Sequence, residues 1–564
     1  MQKTLRIVLI IYIFFSQEGF CQNLILNVNG QSEDETVIIS NLQYQKTHKD
    51  FESIRLEVDS IQNQLFKIGY IENRASKITR INDSTFVTKI NLKNRYDTIH
   101  IYYNNVQIDQ VTLKALSKEV NEDYFVLSFN EVAKALRFIN SEISKKGLPF
   151  SKVSLSSITA KNATTLKANL FIDVSNNKRT INNIVIRGYD KFPKSYIKHF
   201  LKIKPKQVFD LKAIKTKSEQ LNNLNFANEV RPPEVLFSKD STTLYMYLEK
   251  SKSNNFDGFL GFGTNEDTNQ LEFDGYLNLI LTNNLNFGES FRLLYKSDEN
   301  DQKTFETNAT LPYLFNTPIG IDLQLRIFKK DSSFTTVNQA LRLHYQINSK
   351  HKILSGIVST ESNNLLNDNS SFAISDYKTQ HYTIAYQFLK RQSSILLFPV
   401  KESLYIEVGI GERKTTTTKE NQSQYSLDAL KIFDLNKTNS IFIRANGSHL
   451  NSKSYFENEL LRFGGINSIR GFEENSLFAN LFGVLNTEYR YTLSNSLYIH
   501  SIIDAGYFEN EVLKTKEKLF GYGFGFGILT KAGLLKFNYA NGKNENTRFK
   551  LSNSKIHISL TANF

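Results

Sequence analysis

The chain has no tryptophan and a single cysteine, at position 21. It can therefore close no internal disulfide and offers no thiolate cluster to a metal. Its nine histidines are scattered, without a His-x-x-x-His pair or a Ser/His/Asp arrangement, so neither an enzyme nor a metal or cofactor site is expected. Long hydrophobic runs are scarce too: mean hydropathy is −0.35, which excludes a bundle of membrane helices. What the chain has instead is 27 Tyr and 43 Phe, an aromatic share of 12% that is rich for a soluble enzyme. Strands that alternate lipid-facing apolar with lumen-facing polar residues produce low hydropathy and high aromatic content together. The formal net charge of +13 would suit nucleic acid, anionic lipid or an acidic partner, although solvated lysines account for most of it.

Lys3 and Arg6 precede the apolar run Ile7 to Phe15, which is too short to span a bilayer but suits the core of a secretory signal. Gly19-Phe20-Cys21 then offers a small-x-small cleavage site, making residues 1–21 a signal peptide and Gln22 the mature start. Lipidation at Cys21 is the alternative, with Phe20 a poor residue before a lipidated cysteine. A secreted chain argues against nucleic acid as a partner.

At 564 residues several units are expected, unless a large part is a barrel. An apolar helical phase at Ile54, Val58, Ile61 and Leu65 ends at Gly69, and the same phase returns at Val132, Leu136, Ile139 and Ile143 before Gly147. A third helix, with Asp210 as N-cap and Leu211, Ile214, Leu221 and Leu224 on one face, ends at Asn225. Gly69, Gly147 and Asn225 are the expected left-handed stops and stand 78 residues apart. Period-two stretches surround each helix, so three α+β repeats are expected, over residues 22–94, 95–177 and 178–252. Each leaves a sheet edge able to take an extended peptide, the alternative being that the repeats are spacers. The order strand, two helices, two strands resembles the polypeptide-transport-associated (POTRA) domain. The third copy does so most closely, through Ile184-x-Ile186-x-Gly188, Phe209-Asp210 and Leu221-x-x-Leu-x-Phe-x-x-x-Val230.

Beyond Asn254 helical phases vanish, and residues 253–564 are expected to form a transmembrane β-barrel. The clearest runs are Gln270–Leu281, Ile319–Phe328, Leu404–Ile410, Ser440–Ala445, Leu497–Ala505 and Ile556–Phe564. A coarse count gives about eleven strands before the glycine-hinged stretch Arg462–Phe472 and about five after it, roughly sixteen antiparallel strands in all. A β-sandwich would alternate as well, but here no second apolar face remains to cover the first. In Gly521–Ile528 every second residue is glycine, and glycines facing a lumen leave room for something else to lie there. The last strand places Ile556, Ile558, Leu560, Ala562 and Phe564 on one face, ending on an aromatic as outer-membrane barrels do.

Gly464, Gly465 and Gly471 let the stretch Arg462–Phe472 turn sharply, and the Arg470 guanidinium would be costly in a crowded lumen without a carboxylate. Arg462-Phe-Gly-Gly-x-x-Ser-Ile469-Arg470-Gly471-Phe472 resembles the sixth extracellular loop of the BamA/TamA superfamily of outer-membrane assembly and secretion barrels, with all four positions of its [Val/Ile]-Arg-Gly-[Phe/Tyr] core. Asn486–Arg490, Ile503–Gly506, the glycine strand and Gly533–Tyr539 resemble the family's strands twelve to fifteen. The resemblance implies that Arg470 pairs with Asp504 and with Glu488. It also implies a weak seam between first and last strands, where Gly258, Gly261 and Gly263 would loosen pairing with the strand ending at Phe564. The implied function is insertion or translocation of unfolded outer-membrane or secreted client proteins at the bacterial outer membrane, with the repeats in the periplasm, no cofactor and no covalent chemistry. Implied partners are those clients, outer-membrane lipid and an accessory periplasmic or inner-membrane protein. Three repeats look more like TamA than BamA; a two-partner secretion transporter and a passive porin are the alternatives.

Overall fold

The computed structural model describes residues 23–104, 108–174, 177–264, 271–297, 302–366, 373–392, 395–545 and 554–563. The expected signal segment with Cys21, and Phe564, lie outside the described residues.

Three α/β sheets precede a barrel. In the first, helices α1 (Glu33–Ser40) and α2 (Phe51–Lys67) cover a sheet built on Leu24–Gly30 and Thr85–Asn91. Asp50 starts α2 by accepting from Ser53 N at 2.7 Å, and the Ser53 hydroxyl closes the reciprocal half of a capping box. The apolar phase then does what its spacing predicts: Ile54, Val58, Ile61 and Leu65 are all buried, in one cluster with Leu26, Val28 and Ile90 of the sheet. The second sheet carries α3 (Gln110–Leu116) and α4 (Val132–Lys145), with Ala135, Ile139 and Ile143 buried. Gly69 and Gly147 follow these long helices at φ +106° and +90°. Their carbonyls accept from Tyr96 N at 3.0 Å and Arg179 N at 2.7 Å, which ties each helix end to the chain leading onward.

The third repeat departs from this device. Its helices are α5 (Lys194–His199) and α6 (Leu211–Ser218), and α6 tightens into a 3-10 turn, Glu219–Asn223, after which Leu224 is extended at ψ 146°. Asn225 is therefore not a left-handed stop. With Leu221 fully buried, the tighter turn already delivers the chain into the strand Ala227–Phe237. That strand pairs antiparallel with Thr242–Lys250, which pairs parallel with Asn183–Arg187, and Ser238 N bonds Ser241 O at 2.9 Å in the intervening turn. The first two repeats form one compact unit, and the third forms another with the barrel.

The barrel closes through sixteen antiparallel strands. They are β1 (Asn255–Thr264), β2 (Leu271–Thr282), β3 (Ser290–Ser297), β4 (Gln302–Leu311), β5 (Ile319–Lys330), β6 (Phe334–Gln346), β7 (His351–Asn364) and β8 (Tyr377–Arg391). They continue as β9 (Val400–Lys414), β10 (Lys419–Asp434), β11 (Asn439–Asn451), β12 (Leu481–Ser494), β13 (Leu497–Asn510), β14 (Thr515–Leu529), β15 (Leu534–Asn544) and β16 (Ser554–Asn563). Eleven precede the glycine-hinged loop and five follow it, as the sequence count has it.

The faces are inverted relative to a water-soluble protein. On β8 the inward Thr379, His381 and Thr383 are buried while Tyr382 and Ile384 are each 61% exposed, and Ile410, Phe524 and Ile558 are exposed on other strands. Fully burying one such side chain is worth about 1.5–3 kcal/mol, so an outer wall of them is stable only against hydrocarbon. Closure is uneven. β15 and β16 pair over eight residues and β1 and β2 over ten, whereas among the described residues the β1–β16 ladder has two pairs, Asn255↔Asn563 and Phe256↔Ala562. Past those two pairs stands Gly258, at φ +151°; Gly261 and Gly263 follow it on β1.

Candidate functional site

The loop between β11 and β12 folds on itself through a short ladder, Leu461–Phe463 against Leu477–Ala479. Between those arms the chain reverses at Gly464 and Gly465, with φ +110° and +93°, and Gly465 N bonds Ile469 O at 3.2 Å. The reversal drives Ile469 into a fully buried position among Phe463, Phe482, Phe508 and Leu519, with Phe463 and Phe482 stacked at 4.5 Å. Phe472 packs against the edge of the same cluster. This apolar seat fixes the residue that follows Ile469.

Arg470 is 5% exposed, and every guanidinium nitrogen meets a carboxylate. Nε bonds Asp504 Oδ2 at 2.8 Å, Nη2 bonds Asp504 Oδ1 at 2.6 Å, and Nη1 bonds Glu488 Oε1. The Arg470 backbone N–H adds a bond to Asp504 Oδ2 at 3.0 Å. The planar fork thus takes Asp504 bidentately through Nε and Nη2 and turns its remaining nitrogen, Nη1, to Glu488. Asp504 sits inward on β13 and Glu488 inward on β12, so period two alone aims both at the loop. Glu488 accepts a second arginine, Arg490, at 2.7 Å, and Arg490 lies over the rings of Phe442 and Phe398 at 4.0 and 4.6 Å. Two carboxylates and two arginines balance in charge, which is what allows four charged groups to be buried together.

The wall opposite the loop backbone is glycine. A β-carbon on Gly521 would stand 2.4 Å from the Arg470 carbonyl oxygen, and one on Gly542 would stand 2.4 Å from that of Gly471. On the glycine strand the loop fills the space at Gly521, whereas the side chains of Asn538 and His500 fill it at Gly525 and the ring of Tyr498 at Gly527.

The loop's entry arm is held with opposite polarity. Arg413 on β9, 1% exposed, bonds loop residue Glu459 and also bonds Glu420 on β10 at 2.8 Å. Asn458 of the loop donates to Ser362 at 2.8 Å, and Glu457 accepts from Lys330 at 2.8 Å. Arg462 lies among Phe328, Phe334 and Phe478 at 5.2, 5.4 and 5.2 Å. On the return arm Glu473 meets Lys555 of β16 at 2.8 Å and Glu474 meets Lys296 of β3 at 3.8 Å, so the loop also touches strands on both sides of the β1–β16 closure.

The structure therefore brings Arg462, Gly464, Gly465, Ile469, Arg470, Gly471, Phe472, Glu488 and Asp504 into one assembly. Gly258, Gly261 and Gly263 stand apart from it on β1. Sequence reasoning missed Arg490, Arg413 with Glu459, and Gly542. Arg490 is two residues from Glu488 and so on its face, which was a readable signal; Arg413 and Glu459 are 46 residues apart and carried none.

Residues 179–250 match the POTRA family model, described as a surface antigen variable number repeat. Among solved structures the chain is similar to CdiB from Escherichia coli, at 13% identity and TM-score 0.54 over 90% of this chain and 98% of that one. It is similar to CdiB from Acinetobacter baumannii, at 15% identity and TM-score 0.51 over 83% and 90%. BamA from Haemophilus ducreyi lacking POTRA domains 1–3 aligns at 15% identity and TM-score 0.49 over 82% and 99%. No curated protein matches the chain by sequence.

Proposed function

We propose, taking the POTRA domain and the sixteen-strand barrel as those of a BamA/TamA superfamily member, that this chain inserts or translocates unfolded client proteins at a bacterial outer membrane. The observation that carries the reading is the closure of the barrel by two residue pairs where its neighbours use eight or ten. Separating β1 from β16 there costs few ladder bonds and exposes two strand edges, each able to template a client strand by β-augmentation. The repeats before the barrel supply further sheet edges through which an unfolded chain is held by its backbone, indifferent to side chains. Arg470 and its carboxylates act as a strut that keeps β12 to β15 in shape while the seam opens. The driving force is the client's own folding into lipid.

A secretion route through the lumen is the second reading. It requires the Arg470 strut to leave the lumen, whereas opening of the seam leaves the strut in place. Depletion of the protein followed by outer-membrane proteomics tests the proposal: loss of integral barrels supports insertion, loss of secreted proteins alone supports the lumen route, and an unchanged proteome removes both.

A further inference from the structure

Two turns at the POTRA end of the barrel are clamped onto α5 of the third repeat. The turn between β2 and β3 spends its polar groups inward: Glu289 accepts from Leu285 N at 2.6 Å and Phe287 N at 3.1 Å, and Gly288 O accepts from the Tyr196 hydroxyl at 3.0 Å. The turn between β4 and β5 is held through Asn316, whose carbonyl takes His199 at 2.8 Å and Lys198 at 3.4 Å while its side chain takes Ser195 at 3.3 Å. Ser195, Lys198 and His199 are spaced to share one helix face. Tyr313, Phe315 and Asn316 all adopt left-handed backbone, with φ of 54°, 50° and 59°. Such strain persists only where surrounding contacts impose it.

Beside the exposed Asn284 and Asn316, these clamped turns present three large apolar side chains outward. Phe315 is 96% exposed, Phe287 67% and Leu285 66%, and they continue the outward-facing residues Phe291, Leu311 and Ile319 at the adjoining strand ends. The stretch Lys191–Lys217, which contains the clamping helix, carries nine lysines against the single acid Asp210. Lys198 is in contact with the Asn316 turn, and Lys194 is one helical turn behind it. Burial lowers the His199 pKa, and Lys198, Lys202 and Lys204 push it the same way, which places three of the lysines within electrostatic reach of the ring that holds Asn316.

We propose that this face is a membrane-docking surface, with Phe315, Phe287 and Leu285 entering the boundary of the hydrocarbon and Lys194, Lys198, Lys202 and Lys204 binding the phosphates of anionic lipid headgroups. The inference rests on the reading of the barrel as membrane-spanning and is independent of the client it serves. Lipid is the occupant because the apolar side chains prolong the lipid-facing band of the barrel and the lysines lie at its edge, where headgroups begin. Docking holds the third repeat, and the β2–β5 side of the barrel with it, at a fixed height on the bilayer.

The test uses the full-length protein in lipid nanodiscs of phosphatidylcholine, with or without phosphatidylglycerol, and follows amide hydrogen exchange over residues 191–206. The expected result is severalfold slower exchange in the anionic discs, lost on raising salt and absent from a K194E/K198E/K202E/K204E variant, with Phe315→Ser reducing it in part. Equal exchange in the two kinds of disc for the wild-type chain overturns the proposal. So does protection by a polyglutamate peptide in phosphatidylcholine discs combined with none from phosphatidylglycerol, which would assign the face to an acidic client segment. Should the variant fail to fold, salt sensitivity of the wild type and the Phe315→Ser protein still decide the matter. Failure of the wild-type chain to enter discs as a heat-modifiable barrel would instead remove the membrane reading.

Discussion

The Arg470 carbonyl oxygen occupies the space that a side chain on Gly521 would need, 2.4 Å from the position of its β-carbon. Gly521→Ala therefore displaces the loop or bends β14, and overpacking of this kind costs about 1–3 kcal/mol. Gly483 on β12 has nothing within 4 Å of the same position. Heat-modifiability on gels is expected to shift to lower temperature for Gly521→Ala and to stay unchanged for Gly483→Ala. Equal behaviour of the two would mean that the loop does not depend on its glycine wall.

Removing the Arg470 side chain leaves Asp504, 1% exposed, with an uncompensated charge. Losing one partner of a buried pair costs about 3–5 kcal/mol. Arg470→Ala should accordingly lower the unfolding temperature more than Asp504→Asn, which keeps an acceptor and sheds the charge. Arg470→Glu should be worse than either, and adding Asp504→Arg should recover part of the loss. Full recovery is not expected, because Glu488 would then face the new glutamate.

The difference between what could and could not be read from the sequence follows from range. Helix phases, the glycine alternation and the inward placement of Glu488 and Asp504 repeat every two to four residues, so a short stretch carries them. The strand count was legible because each hairpin turn breaks a period-two run. The αL stop at Asn225 was misread because the buried Leu221 and a 3-10 turn reached the same exit by other means. Arg413 and Glu459 meet only because β9 and the loop are brought together by the closed barrel, and no local pattern marks either one. The basic face of the third repeat was countable as charge, but its meaning depends on the Asn316 turn, 117 residues from His199.

Arg413 pins the loop at the foot of its entry arm and Arg470 pins it at the reversal between the arms, which the Leu461–Phe463 ladder with Leu477–Ala479 joins. Release of either anchor should loosen the other. Arg413→Met and Arg470→Met are each expected to destabilise the folded form, and the double variant is expected to fall short of the sum by about 1 kcal/mol or more, as contacts within one network do. Additivity in a double-mutant cycle of thermal unfolding would show two independent anchors instead.

The repeats before the barrel should respond to acid at their helix caps. Asp109 accepts from the Thr112 hydroxyl at 2.6 Å and from Thr112 N at 2.8 Å, and these bonds hold its carboxyl down to about 2, against an ordinary 3.8. A folded-state value below the unfolded one contributes stability that is complete above the unfolded range and is lost as pH falls through the folded value. Exchange protection over α3, corrected for the intrinsic rate, should therefore drop between about pH 4 and pH 2. In Asp109→Asn, where the cap remains but nothing titrates, the drop should be much smaller. An equal drop in both proteins would place the acid sensitivity elsewhere.

Phe256 and Ala562 face each other across one of the two residue pairs that close β1 on β16. Directly opposed residues of antiparallel strands have Cα atoms about 4.5–5.5 Å apart, inside the range a disulfide spans. A Phe256→Cys/Ala562→Cys protein can thus be locked by oxidation at the place where the proposal requires opening. If clients enter through the seam, the oxidised protein should support no outer-membrane assembly in cells depleted of the native chain, and a reductant should restore it. Phe537 and Ile558 face each other in the longer ladder between β15 and β16, so Phe537→Cys/Ile558→Cys introduces the same chemistry without crossing the seam. That control should retain activity in both redox states. Activity retained by the seam-locked protein would show that separation of β1 from β16 is unnecessary, and would shift the argument to passage through the lumen, past Arg470.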